Sequence, residues 1–182
     1  MGATWFFSDP HWGHNGVCQF LRNDGEKLRP WTDPELMNEE MSANWNNCVK
    51  KEDKVYVLGD WAINNRFVNY GKHLNGRKIL IKGNHDIFKL DKYLEVFDDI
   101  RSYQVFPKHG IIASHIPLHP CQFEHRFKFN IHGHLHSNDV LLPNGEIDLH
   151  YFSVCVEKID FKPILFDDIL DILGKRLTQM EM

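Results

Sequence analysis

Residues 78–86 read Lys-Ile-Leu-Ile-Lys-Gly-Asn-His-Asp, an apolar run that ends in four residues of a different kind. The aliphatic run Lys78–Ile81 is typical of a buried strand. A turn after that strand needs Gly83 and Asn84, but it does not need a histidine and an aspartate behind them. An amide oxygen is a neutral metal ligand, and an imidazole beside it can act as an acid or a base near neutral pH. The stretch therefore predicts a strand that ends in side chains suited to metal binding and to acid–base chemistry.

Four other short apolar runs are also typical of buried strands: Thr4–Phe7, Val55–Leu58, Gly110–Ala113 and Phe127–Ile131. Helical patterns separate or follow them. A first helix is predicted by the apolar spacing Met37, Met41, Trp45 and Cys48, behind a capping-box spacing of Thr32 and Glu35. Further helices are predicted over part of Arg66–Leu74 and from about Asp167.

The first half of the chain alternates strands with helices, which is the pattern of βαβ units. The second half is denser in strand-like runs and turns, such as Pro143-Asn144-Gly145, and favours hairpins over crossovers. We therefore expect an α/β protein, with either a mixed sheet or a two-sheet sandwich flanked by helices. A length of 182 residues fits a single domain over residues 1–182.

The composition excludes several classes of function. The chain has 21 Lys and Arg against 25 Asp and Glu, so its net charge does not attract nucleic acid. No apolar run reaches the length of a membrane span and no basic leader precedes Thr4–Phe7, so we expect a cytoplasmic protein without a membrane partner. The four cysteines form no CxxC pair, which favours free thiols over a zinc knuckle or a disulfide framework.

Histidines and aspartates follow each of the five apolar runs. Taken alone, Asp9 with His11 and the pair Gly59-Asp60 are no more than turn residues, and His115 is more often a structural histidine. His134 and His136 are stronger evidence, because alternate imidazoles at a strand end share one face and suit a metal ion. His132 has the same parity and remains a rival ligand. Together the five motifs predict polar groups along one edge of a sheet, where open α/β sheets form their sites.

These motifs resemble the calcineurin-like metallophosphoesterase superfamily, whose pattern is Asp-x-His, Gly-Asp, Gly-Asn-His-Asp/Glu, a strand-end His and Gly-His-x-His. All five blocks occur in that order between Asp9 and His136. The chain is most similar to the small single-domain bacterial and phage members, which share the opening Asp-x-His-x-Gly-His seen at Asp9–His14, and a tail like Val154–Leu165. The resemblance implies a four-layer αββα sandwich of mixed sheets flanked by helices.

The resemblance also implies two divalent metal ions and a ligand set for each. Asp60 would bridge the two ions. The other implied ligands are Asp9, His11 and His136 for one ion, and Asn84, His115 and His134 for the other. Nitrogen and oxygen ligands without a thiolate fit Mn²⁺, which is our first choice, and also Fe²⁺, Zn²⁺ or Ni²⁺.

His85 resembles the catalytic histidine of the superfamily, which protonates the leaving oxygen or stabilises the transition state. Many members carry an aspartate three residues after the bridging one, which orients this histidine, and Ile63 stands there in this chain. We therefore expect Asp86 or a backbone carbonyl to orient His85. Asn64 replaces the arginine that follows in the protein phosphatases, so protein phosphatase activity is not expected.

Substrate contacts are harder to derive from the sequence. His14 and Asn15 lie one turn beyond Asp9 and either face the phosphate or cap the following helix. Three arginines are weaker candidates for anion contacts, because arginines on loops are usually solvated: Arg22, Arg29 and Arg66. Trp12 and Trp61 follow metal motifs and either pack in the core or form an apolar wall beside a nucleobase.

The sequence predicts a metal-dependent phosphoesterase that hydrolyses a phosphodiester or a phosphomonoester, with a small nucleotide-like diester slightly preferred. One alternative is a nuclease acting on DNA or RNA ends, which the absence of a basic stripe disfavours. A second is a non-catalytic metal-binding scaffold, against which the presence of His85 argues. A third is a histidine-rich globular protein without any site, which would bind no stoichiometric metal.

Overall fold

The structure is a computed structural model that describes residues 2–182, so Met1 of the expected domain lies outside the described residues. The strands are, in chain order, β1 (Thr4–Phe7), β2 (Lys54–Val57), β3 (Arg77–Ile81), β4 (Asp99–Arg101), β5 (Tyr103–Phe106), β6 (Ile111–Ser114), β7 (Phe129–His132), β8 (Tyr151–Ser153) and β9 (Ile164–Leu165). The α-helices are α1 (Pro34–Cys48), α2 (Leu90–Tyr93) and α3 (Phe166–Met180).

The strands form two mixed sheets. The first has the order β4-β3-β2-β1-β9, in which β1 to β4 are parallel and β9 is antiparallel to β1. The second has the order β5-β6-β7-β8, in which β5 is antiparallel to β6 and the other pairs are parallel. The protein therefore has the expected α/β architecture, with two sheets rather than one.

Helix α1 begins at a sequence that suits a helix N-terminus. Helix α1 starts with Pro34, which needs no hydrogen-bond acceptor for its nitrogen, and the side chain of Asp33 accepts a hydrogen bond from the amide of Leu36 at 2.9 Å. The capping-box expectation for Thr32 was therefore wrong by one position. The helix expected over part of Arg66–Leu74 is a 3-10 helix that spans Asn65–His73.

The predicted strands are confirmed to within two residues, but the expectation of hairpins over crossovers in the second half holds only for β5 and β6. Only β5 and β6 pair as antiparallel neighbours in the second sheet of the described chain, and β6, β7 and β8 are parallel. The turn at Pro143-Asn144-Gly145 exists, with the amide of Gly145 bonded to the carbonyl of Leu142 at 2.9 Å, but it closes a loop bridge between Leu141 and Ile147 rather than a sheet hairpin.

Alternate residues of β1 face different layers. The ring of Phe7 packs edge-on against Trp45 of α1, with centroids 5.1 Å apart. The ring of Phe6 points the other way and lies 5.7 Å from Phe106 of the second sheet and 5.4 Å from Phe166 of α3. The first sheet is thus covered by α1 on one face and by the second sheet and α3 on the other.

The two sheets also meet beyond the carboxyl end of β1. Ser8 forms an isolated parallel bridge with Cys155, and the amide of Val156 donates to the carbonyl of Ser8 at 3.1 Å. The ends of strands from both sheets therefore lie side by side. None of the helices in residues 2–182 combines the length and the apolar character of a membrane span.

Candidate metal centre

The loops that leave the strand ends run alongside one another, which brings the predicted motifs together. The amide of Asp9 donates to the carbonyl of Gly59 at 3.1 Å, so the loop after β1 follows the loop after β2. In the second sheet the amide of Gly133 donates to the carbonyl of His115 at 2.9 Å. Backbone pairing thus continues past the strands and fixes where the side chains point.

Six of these side chains form two clusters, and in each cluster the ligand atoms lie within 4.8 Å of one another. The first cluster is Asp9, His11 and His136, and the second cluster is Asp60, His115 and His134.

Asp60 belongs to the second cluster and also borders the first. Its Oδ2 is 3.7 Å from Nε2 of His11 in the first cluster, and its Oδ1 is 3.4 Å from Nε2 of His115 in the second. Each oxygen of one buried carboxylate therefore faces a different cluster, as a bridging ligand requires.

Asn84 joins the second cluster through its amide oxygen. Nδ1 of His115 lies 2.6 Å from the carbonyl of Leu58, to which it donates, so a neutral ring would carry its lone pair on Nε2. That Nε2 lies 2.8 Å from Oδ1 of Asn84, which is also an acceptor. Two acceptors this close repel each other unless a proton or a cation lies between them.

Buried acceptors of the first cluster lack partners in the described chain. Oδ2 of Asp9 accepts from the Ser8 hydroxyl at 2.6 Å, the His134 amide at 2.9 Å and the Cys155 thiol at 3.3 Å. Oδ1 of Asp9 and both ring nitrogens of His11 are buried without a hydrogen-bond partner. An unpaired buried polar atom costs about 1–3 kcal/mol, so these atoms fit a site that a cation completes.

The backbone of the ligands is strained. Five of the seven non-glycine residues with positive φ in residues 2–182 belong to the two clusters: Asp9, His11, Asp60, His134 and His136, at 57°, 50°, 51°, 71° and 51°. This left-handed conformation costs an ordinary residue roughly 1–2 kcal/mol. Such strain persists where the surrounding structure over-determines it, and it concentrates at functional sites.

Burial and charge shift the pKa values of the histidines in this centre in different directions. Burial lowers the pKa of His11 well below its usual range, and the positive charge of Arg29 lowers it further. Burial alone would also lower the pKa of His115, but the hydrogen bond to Asp60 and the carboxylates of Asp9 and Asp60 together raise it to about 9. Negative charge is therefore concentrated around His115, beside Asp60.

His85 stands at the open side of the centre. Its side chain is 49% exposed, whereas the Asp60 side chain is 3% exposed. The amide of His85 donates to Oδ1 of Asp60 at 2.9 Å, and its ring nitrogen Nε2 lies 4.0 Å from Oδ2 of the same carboxylate. The ring thus faces both the clusters and the solvent from which a substrate would enter.

Asp86 has a different position from the one we expected. Its buried carboxylate accepts hydrogen bonds from the amides of Asp60 at 2.9 Å, Trp61 at 3.0 Å and Gly83 at 2.8 Å. Burial raises the pKa of Asp86, while the amides of Gly83 and Trp61 oppose that shift. Because both oxygens are used in this way, Asp86 ties the loop after β2 to the loop after β3 and does not orient His85.

His132 is not a ligand in this arrangement. Its ring is buried, with Nδ1 2.7 Å from the carbonyl of Gly133, and it belongs to neither cluster. Burial lowers the pKa of His132 to about 4. The rival assignment is therefore not supported, and the two histidines of this strand end that join the clusters are His134 and His136.

The predicted substrate contacts fall into three groups. His14 is half-buried, with its ring centroid 5.9 Å from that of His11, so it lies beside the first cluster. Asn15 is exposed at the start of a 3-10 helix, and its side chain makes no capping hydrogen bond. Trp12 and Trp61 are fully buried with centroids 5.6 Å apart, which makes them core residues and not a wall for a nucleobase.

The three arginines considered as anion contacts differ in burial. Arg22 and Arg66 are exposed, as the general rule for loop arginines predicts, but Arg29 is fully buried beside Glu157. Glu157 in turn contacts Nδ1 of His136 at 3.1 Å. Sequence reasoning missed this pair, because Arg29 and Glu157 lie 128 residues apart and neither belongs to a motif. Ile63 is half-buried, and the recorded contact of the His85 ring with a carboxylate is the one at 4.0 Å from Oδ2 of Asp60.

No family model matches the chain. It is similar to an uncharacterized protein of Methanocaldococcus jannaschii, with 27% identity over 96% of this chain and 93% of that protein. It is also similar to the Gene 66 protein of Mycobacterium phage L5, with 29% identity over 78% of this chain and 81% of that protein. Among solved structures, a protein of unknown function from Aquifex aeolicus matches with a TM-score of 0.67 and 27% identity, covering 93% of this chain and 98% of that one. The Aquifex aeolicus protein shares the fold over nearly its whole length, and the names of the three proteins state no activity.

Proposed function

We propose that this chain is a dinuclear metal-dependent phosphoesterase of the calcineurin-like type. The observation that carries the proposal is the position of Asp60, whose two carboxylate oxygens face different ligand clusters. A plain turn aspartate after a strand has no reason to lie between two sets of histidines. The order of the five sequence motifs supports the same conclusion, and so does the pair of mixed sheets, which is compatible with the four-layer αββα arrangement of that superfamily.

The donors present fit two divalent cations. The first cluster offers one carboxylate and two imidazoles, and the second offers two imidazoles and the amide oxygen of Asn84, with Asp60 shared. This set of nitrogen and oxygen donors suits Mn²⁺, our first candidate, and also Fe²⁺, Zn²⁺ or Ni²⁺. When bound, two such ions polarise a phosphoryl group and lower the pKa of water.

His85 has the position of a proton donor to the leaving group. Its side chain is half-exposed, whereas four members of the clusters are buried, so its ring is open to an entering phosphoester. The hydrogen bond from its amide to Asp60 fixes its backbone relative to the bridging carboxylate. A histidine held this way can deliver a proton to the departing oxygen, a contribution of about 10²–10⁴ in rate.

The substrate class follows from the neighbours of the centre. His14, whose ring lies 5.9 Å from that of His11, is proposed to contact the phosphate, with Asn15 next to it. The sequence has no excess of basic residues that would hold a nucleic-acid backbone. A small phosphodiester or phosphomonoester, such as a nucleotide-like diester, is therefore favoured.

A substrate panel tests this proposal. Protein purified without a histidine tag and loaded with Mn²⁺ is assayed with bis-p-nitrophenyl phosphate, p-nitrophenyl phosphate, cyclic nucleotides and oligonucleotides, with His85→Ala as the control. We expect hydrolysis of a small ester that His85→Ala loses. Failure of the Mn²⁺-loaded protein on every substrate would make the chain a metal-binding scaffold, and a preference for oligonucleotides with strong salt dependence would make it a nuclease.

A further inference from the structure

A buried ion pair lies directly behind the first cluster. The side chains of Arg29 and Glu157 are 0% and 3% exposed, and Nη2 of Arg29 lies 2.7 Å from Oε1 of Glu157. Nε of Arg29 donates to the same oxygen at 2.8 Å. Charges are removed from water at high cost, so a pair this deep needs other contacts to compensate it.

The guanidinium of Arg29 makes those contacts with the loop after β1. Nη2 donates to the carbonyl of Asp9 at 2.6 Å, and Nη1 donates to the carbonyl of Pro10 at 2.7 Å. These carbonyls belong to the strained segment that carries Asp9 and His11, both of which have positive φ. Arg29 therefore holds the backbone from which two ligands of the first cluster project.

Glu157 acts on the third ligand of the same cluster. Its Oε1 lies 3.1 Å from Nδ1 of His136, so it accepts a hydrogen bond from that nitrogen and leaves Nε2 as the free donor atom. Metal-binding histidines usually donate their other ring N–H to a carboxylate in this way, which fixes the tautomer and the ring orientation.

The pair does not serve the second cluster. Over residues 2–182, the hydrogen bonds and ion pairs of Arg29 and Glu157 reach Asp9, Pro10, Met37 and His136, but not Asp60, His115 or His134. His115 has its own partner in the carbonyl of Leu58. Apart from the hydrogen bond that the amide of His134 donates to Asp9, the two clusters are thus supported by different contacts.

We propose that Arg29 and Glu157 are positioning residues that set the affinity of the first cluster for its ion and leave the second cluster unaffected. This inference rests on the proposed two-ion centre. The two ions then differ in how tightly they stay bound after a substitution. The ligand set of the first cluster depends on a buried ion pair that a substitution can remove, whereas the ligand set of the second cluster does not depend on that pair. Loss of such an outer contact typically weakens metal binding by about 10–100-fold.

The test measures Mn²⁺ binding to the full-length, tag-free protein by titration calorimetry, with electron paramagnetic resonance to separate a coupled ion pair from an isolated ion. Glu157→Met removes the acceptor for His136, and Glu157→Gln retains one. We expect one of the two Mn²⁺ equivalents to weaken by about 10–100-fold in Glu157→Met and by less in Glu157→Gln, while the other equivalent is unchanged. The coupled spectrum of the wild type should become that of an isolated ion at limiting Mn²⁺.

Two further variants guard against misfolding and surface effects. The double variant Arg29→Met/Glu157→Met replaces the pair with apolar side chains of similar length, a change that often leaves stability intact, and it should fold while losing the same equivalent. Arg22→Met, at an exposed arginine on the same loop, should bind both ions like the wild type. Wild-type affinity for both ions in the folded double variant would overturn the inference, as would equal weakening of both. A wild type that binds fewer than two ions would overturn the two-ion centre itself.

Discussion

His85 differs from the ligand histidines in that it is half-exposed and lies outside both clusters. His85→Ala should therefore leave both ions bound and lower turnover by about 10²–10⁴, because only the proton donor is lost. The measurement is the turnover number of the Mn²⁺-loaded variant together with its metal content. His125→Ala, at a histidine whose side chain is 88% exposed, is the matched control and should keep full activity. Loss of an ion in His85→Ala would show that His85 is a ligand instead.

Asp86 is a structural aspartate in the middle of the site. The carboxylate of Asp86 accepts hydrogen bonds from three backbone N–H groups. Asp86→Asn keeps the shape of the side chain but turns an amide N–H toward one of these three donors. We expect the free energy of unfolding, measured by urea denaturation, to fall by about 1–3 kcal/mol. The pH profile of hydrolysis should keep its shape, because Asp86 does not contact the ring of His85. A displaced profile at unchanged stability would restore Asp86 to the orienting role.

The individual candidate ligands were accessible to sequence reasoning because each lies within five residues of an apolar run, so local pattern was sufficient. Asn84 and His136 are examples. Arg29 and Glu157 were not accessible, because nothing in the local sequence of a loop arginine reveals that it will be buried against a glutamate 128 residues away. The role of Asp86 was misjudged for a related reason. A carboxylate beside His85 can orient the ring or accept hydrogen bonds from backbone amides, and the local sequence does not distinguish the two.

Strand ends bring the motifs together, and glycines permit the close approach. Gly59, after β2, has φ of +91°, and a Cβ added there would lie 2.6 Å from Nδ1 of His115 and 2.7 Å from Cα of Gly83. Gly145 has nearly the same φ, +88°, but no heavy atom within 4 Å of such a Cβ. The two glycines thus share a backbone conformation and differ in their surroundings.

Gly59→Ala should therefore destabilise the protein more than Gly145→Ala does. The cost of the left-handed conformation cancels in the comparison, and the remaining overpacking should amount to about 1–3 kcal/mol of unfolding free energy. Calorimetric Mn²⁺ titration should also show weaker binding in Gly59→Ala, because His115 must move. Equal effects of the two substitutions would contradict the close packing of the strand ends.

Elements with a clear apolar pattern were predicted, and the shortest ones were not. Helix α1 and strand β3 have 15 and 5 residues, which is enough for a periodic pattern to be recognised. Strands β8 and β9 have 3 and 2 residues and are defined by the neighbours with which they pair. The parallel pairing of β6, β7 and β8 was missed because long loops, rather than helices, make the crossovers.

The centre exists only in the folded molecule as a whole. Its candidate ligands come from five strand ends in two sheets, and the bridge between Ser8 and Cys155 joins those sheets beside Asp9. The α/β class could be predicted from the sequence, because alternation of strands and helices is local. The division into two sheets stayed open, because it depends on which strands pair and not on where they lie in the chain.

The most direct test of the account is a titration of metal-free, tag-free protein with Mn²⁺ while the hydrolysis of bis-p-nitrophenyl phosphate is followed. A centre in which Asp60 faces two clusters requires that the metal-free protein be inactive and that the rate rise to a plateau at two equivalents of Mn²⁺ per chain. A plateau at one equivalent, a rate independent of Mn²⁺, or no hydrolysis with two ions bound would contradict it.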